Sequence, residues 1–147
     1  MIWIFLLSAL AAGMLMPVQA GINVELKSLV GHPILAATLQ FLVGTGVLMA
    51  VLIAMRVPLP ELARLSSAPW WVWMGGICGA NYIVVAILLA PRLGAATLIA
   101  VSVTGQMLVS LLLDHFGFVG YPIHPLNALR VAGAVLLLAG VVLIQRF

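Results

Sequence analysis

Six neutral polar side chains, Gln19, Asn23, Asn81, Tyr82, Ser102 and Gln106, lie in stretches of sequence that carry no Asp, Glu, Lys or Arg. Gln19 and Asn23 are four residues apart, as are Ser102 and Gln106, so each pair shares a face if its segment is helical. An amide or hydroxyl placed in an apolar medium without a partner costs several kcal/mol, so such groups turn inward, towards each other, water or a ligand. The chemistry they offer is hydrogen bonding to an uncharged polar solute. The Tyr82 ring could also cap a cavity or stack on a flat ligand, although a core aromatic with a satisfied hydroxyl fits the same residue. Gln40 and Thr104 read instead as glue between helices. The titratable groups that could carry a coupling proton are Glu25 and the Asp114-His115 pair, and the simpler reading of all three is a solvated helix end. No His or acidic cluster has metal-ligand spacing, and no cofactor is implied. A phosphate-binding loop and a Gly-x-Ser-x-Gly elbow are likewise missing. With a single cysteine, Cys78, no intrachain disulfide can form.

The elements that position these groups follow from composition. Of 147 residues 65% are hydrophobic and 6% charged, where a soluble domain has about 25% charged residues. Such a chain folds in lipid, which excludes a cytosolic enzyme, a nucleic-acid module and a secreted domain. The net charge of +3 is spread singly along the sequence, without the clustered basic face that nucleic acid requires.

A charge at the bilayer centre costs at least about 2.5–3.5 kcal/mol, so charge-free stretches mark the spans. Five occur: Met1 to Val24, Ser28 to Met55, Leu65 to Pro91, Leu93 to Leu113 and Val131 to Gln145. The last reaches spanning length if Arg130 snorkels from the first turn of its helix. The reading is an all-α integral membrane protein, a single membrane domain over 1–147 with transmembrane helices at about 2–22, 33–55, 69–90, 93–113 and 126–145. Proline agrees, being best tolerated in a first turn or outside a helix. Pro33 and Pro69 open helices, and Pro58, Pro60, Pro122 and Pro125 fall in loops. Pro91-Arg92 is expected to form a tight hairpin turn, and Pro17 to bend the first helix between Gly13 and Asn23. Val18-Gln19-Ala20 resembles a signal-peptidase site, but no Lys or Arg precedes it, so the first stretch is expected to remain as a span. Trp70, Trp71 and Trp73 read as an interfacial belt.

Five spans put Arg56, Arg64 and Arg130 on one side and Lys27, Arg92 and Arg146 on the other. Three against three leaves the positive-inside rule without a preference. Either a bound partner or another detail fixes one orientation or, as expected here, the chain inserts in both directions and pairs with itself as an antiparallel homodimer, the inverted repeat on which many secondary transporters are built. Gly133 and Gly140, one heptad apart on the fifth helix, are the expected subunit contact, with Gly75 and Gly79 as the alternative.

The chain resembles the YdcZ-type inner-membrane exporters of the drug/metabolite transporter superfamily. The matching stretches include Pro17-Val18-Gln19-Ala20 with Asn23, Phe41 to Thr45, Pro69-Trp70-Trp71 with Gly75-Gly76, and Gly79 to Tyr82. Ala90-Pro91-Arg92-Leu93-Gly94-Ala95-Ala96, Gly105-Gln106 and Leu113-Asp114-His115-Phe116-Gly117 complete them. The resemblance implies a bacterial inner-membrane protein with a half-sized transporter fold, paired with itself or with a related paralogue. It names no substrate. The related small multidrug resistance proteins carry a glutamate in the middle of helix one, where this sequence, Leu10 to Met16, has none. The expected function is therefore a secondary transporter, an exporter of a small, mostly uncharged polar or ring-containing solute, working by alternating access. The alternatives are a non-transporting scaffold or lipid-interacting protein and a proton-coupled exporter of organic cations. An embedded nucleophile-base pair is lacking, so an enzyme is not expected.

Overall fold

The computed structural model describes residues 2–61 and 65–146. Arg64, one of the basic residues in the topology count, lies outside them. The described residues form α-helices α1 (Ile2–Val30), α2 (Pro33–Ala54), α3 (Met74–Leu93), α4 (Ala95–Phe116) and α5 (Ala128–Arg146). Counting α3 together with the 3-10 turn Trp70–Trp73 that leads into it, all five are long and apolar enough to cross a membrane. The three tryptophans of that turn are exposed, as anchors at a headgroup boundary would be.

Besides α4, which runs past Leu113 through Asp114 and His115 to Phe116, the helix ends depart from the charge-based boundaries at two places. The first helix continues to Val30 rather than stopping near residue 22. At 1.5 Å per residue its 29 residues are roughly 43 Å long, well beyond a hydrocarbon core of about 30 Å. Its last turns carry Glu25 and Lys27; charge ends a span, not a helix. Pro17 sits inside this continuous helix, which gives up the one backbone bond the ring cannot donate.

The second departure corrects the expected turn at Pro91-Arg92. Both residues are helical, and the chain breaks at Gly94 instead. Proline's φ suits a helix, so Pro91 in the last turn of α3 removes one hydrogen bond without stopping the coil. The break needs a backbone that an L side chain rarely adopts, and Gly94 supplies it with φ +76° and ψ 160°. Its carbonyl then accepts from the Leu98 amide at 3.1 Å and starts α4.

Contacts gather into two compact units. The internal unit, residues 18–91, joins the second half of α1 to α2 and α3. Ala36, Ala37 and Ile87 form its dry centre, with Leu26, Val30, Ile83 and Val84 packed around them. At Gly79 an added Cβ would lie 3.7 Å from Phe41 Cζ, in ordinary contact. His32 caps α2, its Nδ1 accepting from the Ile34 amide at 3.3 Å. The terminal unit comprises the first half of α1 and residues from 92 onwards. Here α4 packs along α5, and the end of α4 meets the start of α5 through Asp114 and Arg130, so the two helices run antiparallel. In each crossing from one unit to the other the boundary follows a helical proline, Pro17 or Pro91.

Candidate functional site

The polar residues singled out above divide between the units. Gln19, Asn23, Asn81 and Tyr82 belong to the internal unit, Ser102 and Gln106 to the terminal one. On α1, Gln19, Ala20, Asn23, Leu26 and Val30 recur at three- and four-residue spacing and form the covered face, while Val18, Ile22 and Glu25 are exposed. Among the described residues Asn23 is the most enclosed polar one, 2% exposed, and its Oδ1 meets no hydrogen-bond partner. Gln19, Gln40 and Tyr82 are half-buried. Asn81 is exposed, on the same side of α3 as Val85 and Leu88. In the terminal unit Ser102 is half-buried and Gln106 exposed.

Among the described residues, no side-chain hydrogen bond ties Gln19, Asn23, Gln40, Asn81, Tyr82, Ser102 or Gln106 to another helix. Hydroxyls behave differently. Thr104 Oγ1 donates to the Ala100 carbonyl at 2.9 Å and Thr38 Oγ1 to that of Ile34 at 2.9 Å, each satisfied within its own helix. The interhelical glue expected of Gln40 and Thr104 is therefore not formed among the described residues.

Two apolar recesses accompany these groups. In the internal unit one of about 290 Å³ runs between α2 and α3, bordered by Phe41, Leu42, Ala80 and Val84, with the hydroxyls of Thr38 and Thr45 beside it. In the terminal unit a groove of about 700 Å³ is lined by Pro17, Ala96, Ala100, Leu137, Gly140 and Ile144, among other apolar residues. None of the six polar residues borders either recess.

The titratable candidates have unequal surroundings. The Asp114 carboxylate pairs with the Arg130 guanidinium, and the two side chains are 23% and 30% exposed. Arg130 Nη1 also donates to the His124 carbonyl at 2.6 Å, and the His124 amide donates to the Asp114 carbonyl at 2.8 Å. His115 Nδ1 accepts from the Leu126 amide at 3.1 Å. Asn127 Oδ1 accepts from the Arg130 amide at 2.9 Å and caps α5. Asp114 and His115 thus clamp the loop between α4 and α5. Arg130, expected to snorkel, is held within this clamp. Glu25 is exposed on α1, and its backbone carbonyl accepts from Ser28 Oγ at 2.7 Å.

A family model described as "Putative inner membrane exporter, YdcZ" matches residues 4–143. The chain belongs to the YdcZ family of inner-membrane exporters. The inner membrane protein YdcZ of Escherichia coli (strain K12) is 31% identical over 137 residues, covering 93% of this chain and 91% of that protein. No solved structure matches. Membership in the YdcZ family, together with five apolar helices, makes this a multi-pass inner-membrane protein. The match embraces the clamp as well as the embedded amides, and of the two only the amides stand out by composition. The Asp114–Arg130 pair was missed because its members are sixteen residues apart, across a loop whose path only the fold reveals. The one signal for it is that an acid ends one helix and a base opens the next.

Proposed function

We propose that this YdcZ-family protein is a secondary transporter that exports a small, mostly uncharged polar or ring-containing solute. It works by alternating access at the interface of an antiparallel dimer, formed with a second copy or a related paralogue. The observation that carries the reading is Asn23, enclosed with an Oδ1 that meets no partner among the described residues. In an apolar medium such groups need a partner, and water, solute or a second subunit supplies what the chain does not. Gln19, Asn23, Asn81, Tyr82, Ser102 and Gln106 form the binding surface. A buried ion would need a counter-charge that no apolar stretch contains, so the solute is uncharged. Where a proton couples the cycle, Glu25 carries it, since Asp114 and His115 are engaged in the clamp. Gly133 and Gly140 serve the dimer contact: a Cβ at either position meets nothing of its own chain within 4 Å, so neither glycine is needed for packing within the protomer.

The test is solute counterflow in proteoliposomes across a panel of uncharged polar compounds. Gln106→Leu nearly keeps the shape of the side chain and removes its hydrogen-bonding end. It should abolish counterflow of the responding solute while the dimer stays folded. Undiminished counterflow in the variant removes Gln106 from the site.

A further inference from the structure

Asn23 lies two residues before Glu25, which is exposed, so its place along α1 does not explain why its amide oxygen is enclosed. Packing does. Leu26 and Val30, on the same face one and two turns further on, pack against the centre formed by Ala36, Ala37 and Ile87. The second half of α1 is thereby closed onto its unit, and Asn23 Oδ1 is enclosed with no donor to meet it. A buried acceptor without a partner carries its full desolvation penalty, which opening to water removes. A solute donor that enters with Asn23 removes the same penalty while the helix stays closed.

Building on the transport reading, we propose that Asn23 makes closure of α1 over α2 and α3 conditional on a solute that donates an N–H or O–H hydrogen bond. The empty unit is biased towards opening at Asn23, and the loaded unit towards closing. The solute class this selects is uncharged with at least one donor, such as an amide, urea or alcohol. A ligand equally welcome in both forms would shift nothing, so recognition resides in the difference.

The experiment reads opening directly. Ala20, 7% exposed and one turn before Asn23 on the covered face, is replaced by Cys in a full-length Cys78→Ser protein in proteoliposomes, and maleimide labelling is timed. Adding Asn23→Leu, an apolar near-isostere, should slow labelling by about tenfold, because closure no longer strands an acceptor. Asn23→Ala should act in the same direction and guards against a packing effect peculiar to Leu. Urea should slow labelling of the Asn23 protein, while tetramethylurea, which has no N–H, should not. Neither should affect the Leu variant. Labelling of both variants at the parental rate, or equal protection by tetramethylurea, overturns the inference. Failure of the transport reading shows elsewhere, as a solute panel without counterflow, and leaves the labelling comparison readable in its own right.

Discussion

Replacing Gly117 with Ala tests whether the α4–α5 loop is held as described. Gly117 ends α4 in the left-handed region with φ +65°, its amide donating to the Leu113 carbonyl. Any L residue there costs about 1–2 kcal/mol in backbone strain. A Cβ would also come within 2.7 Å of Ile123 Cγ1 and 3.4 Å of Ile123 Cδ1. Relieving that overlap means moving a branched side chain off the helix end, an overpacking penalty of about 1–3 kcal/mol. The single variant should therefore lose about 2–5 kcal/mol in reversible unfolding from mixed micelles, adding the two terms. Ile123→Ala in the same chain removes the obstacle and leaves the backbone term, so the pair of substitutions should be less damaging than their separate costs predict. A Gly117→Ala loss below about 0.5 kcal/mol, within the range of ordinary surface changes, would refute the left-handed cap and the packing of Ile123 upon it.

Two further outcomes concern assembly. Reporter fusions at the C-terminus should be found on both sides of the membrane, and two added Lys in one loop should shift that balance; protein found wholly in one orientation defeats dual insertion. Gly133→Leu with Gly140→Leu should weaken crosslinking of the dimer, because Leu blocks close backbone approach, and an undiminished dimer moves the contact to another face, the first to try being that of Gly75 and Gly79.

The number and order of the helices were legible because each is bounded by charge or proline, two properties that act at the residue where they occur. Their ends were less so. Charge marks where hydrocarbon stops, and α1 passes that point through Glu25 and Lys27 to Val30. Proline was overread at Pro91 for a related reason: losing one N–H near a helix end is tolerated, whereas breaking the helix demanded the backbone freedom of Gly94. At the site, composition singled out Asn23 as an embedded amide, but not that it would be enclosed while Asn81 and Gln106 stayed exposed. That depends on which face each helix buries, and in helices apolar all round the hydrophobic pattern carries little directional information.

The division of α1 at Pro17 has a consequence for biosynthesis. Residues 18–91 are contiguous, so the internal unit can assemble as soon as α3 has left the ribosome. The first half of α1 belongs with residues from 92 onwards, which at 5–20 residues per second take on the order of 3–11 s more to be made. Throughout that interval residues 2–17, which carry no Asp, Glu, Lys or Arg, are without the rest of the unit to which they belong. One continuous helix is thus engaged early along its second half and late along its first.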